Sequence, residues 1–516
     1  MEIDVMPSIL DGLNTAKLAL AAQQYAMNVS QRNTANVYNP GYTRQDVLFT
    51  DLTVPSNWST YGTPGVELWA ERNRYLDKSI SYELPAFGES LVKYNALREI
   101  DAILQGTGGG GLGTSIDEFF NSFTELSSNP TDSALRWQVI SRAETMINDF
   151  QRIYANIQRV QTSADQHIRS DVDDINRLTA KIADLNKRIE TAINIGHKEN
   201  EYALRDERQQ YMEELQGKIN FLYFETEAGS ITITTTKGDA VVLGDTSVKL
   251  VLGEKTDSHF VDIYLGSITG INITPTITSG EIGGYIEVRD TLIPGYLKTL
   301  NDMAQGIIDE VNKAHVQGFD LNGDQGEAFF KPFTATVSDP SAVRAMKLSD
   351  NITADKIAVA GSKVDEYGNL IDANGDPYAG TPVLNPKDGA ALLDKDNNPI
   401  LLGVWAGYGD NANAKALAAI SAKEFIKDKE NIDRNLEKIY ASLLYTVGSD
   451  QRVAEETAEN QQNVLNQLWG QRDSESGTSL NEEAINIIKY QQAYQANSRI
   501  VSLLDSLSAE ILNFVR

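Results

Sequence analysis

Residues 478–516 read TSLNEEAINIIKYQQAYQANSRIVSLLDSLSAEILNFVR, and their pattern decides how the chain is put together. After Gly477 the stretch holds no Gly and no Pro, so nothing in it breaks a helix. Thr478 or Ser479 can serve as N-cap, with Glu482 placed to close a capping box on Ser479. A stripe then runs Ile487, Tyr490, Tyr494, Asn497, Val501, Leu504, Ser508, Ile511, Val515, in alternating steps of three and four. That is a heptad seam, and a seam needs a partner helix to be stable in water.

The opposite end supplies a candidate. From Met6 onward, Ile9, Leu13, Ala16, Leu20, Gln23 and Met27 repeat with the same alternation, and Pro7 suits a first helical turn. Two arrangements satisfy both seams. The terminal helices pair with the rest of the fold inserted between them, or each docks on an ordinary globular core.

At 516 residues the chain can bury several cores, about three or four domains. Its net charge of −27 repels nucleic acid and anionic membrane surfaces alike, so neither is expected as a partner. No apolar run is long enough for a transmembrane helix. The start, MEIDVMPSIL, is acidic and lacks the basic and apolar regions of a classical signal peptide. Cysteine is absent, which excludes disulfides, thiolate metal sites and thiol nucleophiles.

After the first helix comes QRNTANVYNPGYTRQDVLF, where Asn33, Asn36, Asn39, Pro40 and Gly41 are turn chemistry ahead of an extended segment. Residues 75–105 read as helical, with Pro85 marking a break or a start. GTGGGGLGTS, 106–115, has no Lys to make it a phosphate loop and reads as a flexible connector. From Thr131 to Ile195 there is no Gly or Pro. Ile140, Ile147, Tyr154, Gln161, Ile168, Ile175, Ile182 and Ile189 fall at heptad intervals, and Ala143, Phe150, Ile157, Ala164, Asp171, Leu178, Leu185 and Ala192 fill the second position. Gln161 and Asp171 interrupt that seam. Unbroken, such a helix spans roughly 95 Å, a structural device that enzymes seldom need.

Residues 219–290 change character: ITITTT alternates strictly, and VVLG, VKLVLG and VDIYLG are short strand-like runs of a small β domain. A helix returns at 286–315. GFDLNGDQGEAFF and IDANGDPY then carry Asp-x-Asn-x-Asp spacings beginning at Asp320 and Asp372. Neither has the Gly and Glu of a calcium loop, so both read as Asx turns. Residues 332–410 are turn-rich and read as a second β-rich domain. Helical pattern resumes at 413, and RDSESGTS (472–479) reads as a polar linker.

The stretch leading into NPGYTRQ, together with LNEEAINIIKYQQAYQAN near the other end, resembles the terminal signatures of the bacterial flagellar axial proteins, the rod, hook and hook-associated family. The interior narrows this. FFNSFTELSSNPTDSALRWQVISRAETMINDFQRI with DINRLTAKIADLNKRI, ALRDERQQYMEEL, and GGYIEVRDTLIPGYLKTLNDMAQGIIDEVNKAHVQGFDLNGDQGEAFF are similar to the hook-associated protein 1 subfamily, the hook–filament junction proteins. The β regions carry little of the resemblance.

That resemblance implies an α+β multidomain fold with terminal paired helices and long heptad helices as inner layers and β-rich outer insertions. Residues 1–50 with 478–516 would form a terminal-helix core. Residues 51–218, 283–317 and 413–471 would form a helical shoulder, 219–282 a small β domain and 318–412 a turn-rich β-like domain. Assembly is expected to rest on Ile9, Leu13, Leu20 and Met27, on Ile487, Tyr490, Tyr494, Val501, Leu504 and Ile511, and on a signature turn of Asn39, Pro40, Gly41, Tyr42, Thr43 and Arg44. The partners implied are copies of itself in a ring-like assembly, hook protein below, a second junction protein above, and an export chaperone on the C-terminal helix. Export would run through the flagellar type III apparatus without a cleaved signal, to an external or periplasmic flagellum. The alternatives are a hook or distal rod subunit, or an adhesin acting through exposed β domains. An enzyme is disfavoured, because His167, His197, His259 and His315 form no ligand spacing, and no cofactor is implied.

Overall fold

In this computed structural model the chain is described for residues 5–39, 41–52, 63–70, 72–106, 111–255, 258–335, 341–427 and 432–514. In chain order the elements begin with helix α1 (Val5–Ala35), strands β1 (Gln45–Leu52) and β2 (Thr63–Ala70), and helices α2 (Arg74–Gln105), α3 (Leu112–Ser128), α4 (Ser133–Asn194) and α5 (Lys198–Lys218). Seven short strands follow: β3 (Leu222–Glu225), β4 (Ile231–Thr234), β5 (Ala240–Leu243), β6 (Thr246–Ser247), β7 (Leu250–Glu254), β8 (Val261–Leu265) and β9 (Ile271–Asn272). Then come α6 (Gly280–Glu287), a π turn (Val288–Leu292), α7 (Ile293–His315) and α8 (Ala342–Ala345). The chain ends with β10 (Thr381–Pro382), β11 (Leu401–Leu402), α9 (Ala412–Ala418), β12 (Ile426–Lys427), β13 (Asp433–Arg434), α10 (Leu436–Ser476) and α11 (Leu480–Phe514).

These pack as two units. One comprises Met1–Ser90, Ile168–Gly284 and Thr457–Arg516; the other comprises Leu91–His167 and Tyr285–Glu456. Both chain ends therefore share a unit with the small β domain, and of the four parts expected from sequence only the helical shoulder is divided between the two units.

In the first unit α1 and α11 run antiparallel, with Gly12 beside Leu504 and Asn33 bonded to Glu483. The hairpin β1–β2, paired from Gln45↔Ala70 to Leu52↔Thr63, lays Val47, Val66 and Leu68 on α1 and on Tyr490 of α11. The small β domain is two antiparallel sheets, ordered β3-β4-β5-β6 and β7-β8-β9. Two asparagines on α4 hold them as an extra strand would. Asn176 donates to the Leu250 carbonyl (2.9 Å) and accepts from its N–H (2.7 Å). Asn186, fully buried, does the same with Ile231 at 2.7 and 3.0 Å.

The second unit is built around α3, the first part of α4 and α7. Phe119, Phe120, Phe123, Phe329 and Phe330 are all buried and stack at its centre, with centroids 5.0 Å apart for Phe119–Phe120 and for Phe329–Phe330. The heptad positions of α4 from Ile140 to Ala192 are buried apart from Gln161, which is half-buried. Gln161 donates to the Arg289 carbonyl (2.7 Å) inside the π turn, where backbone bonding leaves the α register. Arg289 itself is fully buried against Asp165 (2.6 Å) and Asp290 (2.8 Å). The other interruption, Asp171, lies in the first unit and binds Lys218 at 2.7 Å.

Several expectations change. Pro85 does not break α2, which runs through it; Ile80 and Leu84 are packed against Leu465, and that packing offsets the one lost backbone bond. The helix α3 was not anticipated, although its Leu112, Ile116, Phe119, Phe123 and Leu126 form an amphipathic face. The linker 472–479 is mostly helix, because α10 continues to Ser476 with Arg472 bound to Glu213 at 2.6 Å. The connector at 106–115 falls partly outside the described residues. In 318–412 regular strands shrink to the two-residue pair β10–β11 and isolated bridges. Turns recur too closely for longer strands. Asp320, Asp365, Asp372 and Asp394 each donate a backbone N–H to the carbonyl four residues on, at 2.8–2.9 Å.

Phe119→Ala removes the centre of the five-ring cluster. The variant should lose about 3–5 kcal/mol of stability, read as a lower denaturant midpoint with an unchanged slope.

Candidate functional site

The site is the junction where the two ends of the chain meet. Asn33, near the end of α1 and 2% exposed, is its centre. Its Nδ2 donates to the Gln45 carbonyl (2.8 Å) and to Glu483 Oε1 (3.0 Å). Its Oδ1 accepts from the Tyr42 hydroxyl (2.8 Å) and the Gln45 N–H (3.2 Å). One side chain thereby joins α1, the turn, β1 and α11, with every donor and acceptor used.

The signature turn supplies the remaining ties. Asn39 is exposed, Pro40 lies outside the described residues, and Gly41 takes φ +81°, which a side chain would strain. Tyr42 reaches back to Asn33, and burial pushes its phenol up to about 12, so it stays a donor. Thr43 places its N–H (3.0 Å) and hydroxyl (2.7 Å) on the Asp206 carboxylate of α5. Burial raises the Asp206 pKa to about 6 despite those two bonds and nearby Arg72. Arg44 binds Glu482 at 2.8 Å and Glu483 at 3.4 Å, while its N–H donates to the Ser476 carbonyl (2.8 Å). Glu482 therefore turns to Arg44 instead of closing the expected capping box; Ser479 does precede the helix and its hydroxyl accepts from Glu482 N–H at 3.5 Å.

Along the helices, Tyr490 is buried, and Ile487, Tyr494, Val501, Leu504 and Ile511 are half-buried on one face of α11. On α1 the large residues Leu13, Leu20 and Met27 are also half-buried, and the side chain of Ile9 lies outside the described residues. The closest packing falls to Ala16, Ala22, Ala26 and Val29, all under 7% exposed. Small residues are needed there because α1 is covered from two sides, by α11 and by the hairpin. Asp206 and Glu483 were not singled out from the sequence: Asp206 lies 163 positions from Thr43, and no local pattern marks it.

His315 is fully buried, its Nδ1 facing the Glu327 carbonyl and its Nε2 accepting from Ala358 N–H (2.9 Å), and burial holds its pKa down at about 4. At the first Asp-x-Asn-x-Asp turn, Lys356 sits 2.9 Å from Asp320 and 3.2 Å from Asp324, where a cation would otherwise bind. Among the described residues no group of three or more acidic, His or Cys side chains could hold a metal, and no helix is long and apolar enough to cross a membrane.

Residues 97–330 match the family model described as the flagellar hook-associated protein FlgK helical domain, and residues 471–514 match the flagellar basal body rod FlgEFG protein C-terminal model. The chain is similar to the flagellar hook-associated protein 1 family along nearly its whole length. Flagellar hook-associated protein 1 of Escherichia coli K12 is 26% identical, with 97% of this chain and 99% of that protein covered. The protein of the same name from Bacillus subtilis 168 is also 26% identical, over 98% of this chain and 99% of its own length. The solved flagellar hook junction protein FlgK of Burkholderia pseudomallei shares the fold at TM-score 0.61 and 14% identity, covering 77% of this chain and 99% of that one. In this chain the C-terminal match falls on the end of α10 and on α11, and the helical-domain match takes in α3 to α7.

Two predictions follow from the junction. Asn33→Ala should cost about 2–4 kcal/mol, since it strands Glu483 and the Gln45 backbone in a buried setting; thermal melting measures it. Asp206 has a folded pKa near 6, above its ordinary 3.8, so the stability it contributes is full below about pH 4 and is lost as pH rises through about 6. Relative to Asp206→Asn, the unsubstituted protein should therefore lose up to about 3 kcal/mol between about pH 4 and about pH 7, read from paired denaturation curves.

Proposed function

We propose that this chain is a structural subunit of the bacterial flagellum that joins hook to filament by assembling at the hook tip. The observation that carries the reading is apolar surface left open on α11. Outside the seam that packs on α1, Ile485 (64% exposed) and Ile488 (54%) towards one end, and Ile500 (46%), Leu503 (59%) and Leu507 (39%) towards the other, are open to solvent. Apolar groups left open on a helix that is already paired are suited to a further cover. Within the subunit α1 covers the seam; neighbouring axial subunits cover the rest. Apolar burial of this kind contributes roughly 25 cal/mol per Å2.

The same reading sets the terminal helices as the innermost layer, the long helices outside them and the β insertions outermost. Copies of this chain are its lateral partners, hook protein lies below and a second junction protein above. This open surface is a hazard for an uncovered chain, which favours an export chaperone on the C-terminal segment and passage through the flagellar export apparatus to the cell exterior. The role is structural, not enzymatic. The relatives carry hook-associated names, and the histidines are placed as a buried neutral hub (His315), as a ring stacked on Tyr285 (His167) and on the surface (His197, His259).

Cells lacking the chain should show bare hooks and release flagellin into the medium; missing hooks, or normal filaments, would sink the assignment. Leu503→Asp with Ile500→Asp should reproduce that phenotype while leaving the melting temperature of the isolated protein unchanged, because both side chains are exposed in the monomer. A fall in melting temperature instead would place these residues in the subunit's own core.

A further inference from the structure

The two Asp-x-Asn-x-Asp turns fold alike but sit in different surroundings. In each, Oδ1 of the first aspartate accepts from two backbone N–H groups. Asp320 takes those of Asn322 (2.8 Å) and Asp324 (2.9 Å). Asp372 takes those of Asn374 (2.8 Å) and Asp376 (2.9 Å). The glycine after each asparagine has positive φ, +83° at Gly323 and +97° at Gly375, and gives its N–H to the carbonyl of the first aspartate at 3.2 Å. These are the two Asn-Gly steps of the chain.

An Asn-Gly step is prone to rearrange unaided, because glycine has no Cβ to shield its nitrogen. The glycine nitrogen attacks the asparagine Cγ. The N–Cγ bond forms, the Cγ–Nδ2 bond breaks, and ammonia leaves with the proton that the glycine N–H gives up. Water then opens the cyclic imide at one carbonyl or the other, leaving aspartate or isoaspartate. To reach Cγ the nitrogen must quit its hydrogen bond, so the turn has to distort. The sequence marks both steps equally, and the surroundings separate them.

The first turn is gripped by the fold around it. Asp320 is 2% exposed, and Lys356 holds it and Asp324 at 2.9 and 3.2 Å. The N–H of Leu321 donates to the Asp355 carbonyl (3.0 Å), and a Cβ at Gly323 would stand 2.8 Å from the Trp405 ring. In the second turn Asn374, Gly375, Asp376 and Pro377 are all exposed, and a Cβ at Gly375 would meet nothing within 4 Å. Lys363 donates to the Ala373 carbonyl (2.9 Å), and the amide of Asn374 rests on Asp372 Oδ2 at 3.3 Å, inside the same turn.

We propose that Asn374–Gly375 is a self-modification site, converting to aspartate and isoaspartate in the folded protein, while packing protects Asn322. The product adds a negative charge between Asp372 and Asp376. Isoaspartate also lengthens the backbone, which disturbs the Ile371–Pro377 pairing beside the turn. The exposure of residues 373–377 keeps the change local.

The full-length protein is held in mildly alkaline buffer, sampled over time and mapped by mass spectrometry, with isoaspartate methyltransferase labelling of the same samples. Asn374 should convert at least about tenfold faster than Asn322, the ratio that about 1.4 kcal/mol of extra distortion energy produces. In denaturant the two steps should convert at similar rates, which assigns the difference to the fold. Asn374→Gln should abolish the acidic shift on isoelectric focusing and leave the melting temperature unchanged. Equal rates in the folded protein, or an Asn374 that converts in denaturant but not in the folded chain, would overturn the proposal.

Discussion

The chain closes on itself through one buried amide. Asn33 and Glu483 are 450 positions apart, and their bond fixes α11 against α1 at the point where both meet the hairpin. Neither terminal helix could keep an apolar seam in water unaided. Pairing alone would leave them free to slide, since heptad seams tolerate shifts in register. Asn33 removes that freedom, because each of its four bonds goes to a different atom of a specified residue. Arg44, Thr43 and Tyr42 extend the constraint to α11, α5 and α1 in turn.

Polar residues do comparable work on α4. Its two seams are apolar almost throughout, and a purely apolar rod would accept many neighbours. Gln161 satisfies a carbonyl of the π turn, Asp171 fixes Lys218, and Asn176 and Asn186 accept and donate as the neighbouring strand of a sheet would. Each buried polar group demands one partner, and leaving it unpaired costs about 1–3 kcal/mol. The seam supplies the burial energy; the interruptions decide which turn, lysine and strand lie where.

In the axial subunit proposed above, these two devices serve a molecule that has to hold its own ends together and still pack on neighbours. The face of α11 turned to α1 is closed within the molecule, while Ile485, Ile488, Ile500, Leu503 and Leu507 stay exposed. Exposed apolar groups are a liability in a free chain, and a strongly negative charge keeps free chains apart.

Periodicity made much of the fold legible. The 62-residue α4, the terminal helices and the strands of 219–290 could be read because burial on one face imposes periods of 3.5 and 2 on the residues themselves. The face of α11 that lies on α1 was visible in the same way, and the turn from Asn39 to Arg44 stood out through its Asn-Pro-Gly chemistry. Local pattern was silent on partners. Nothing near Thr43 points to Asp206, nothing in Glu482 says that Arg44 will take it, and Pro85 looked like a break until Leu465 was packed beside it. On α1 it placed Ala16 in the seam, where it is buried, but passed over Ala22 and Ala26, which double coverage also selects. The sequence by itself determined the long periodic helices, the apolar face of each and which family the pattern resembles, because those properties repeat within a few residues. Only the tertiary structure decided how the two ends lock, which carboxylate each basic group holds and which apolar groups stay open. Those depend on atoms brought together from hundreds of residues apart.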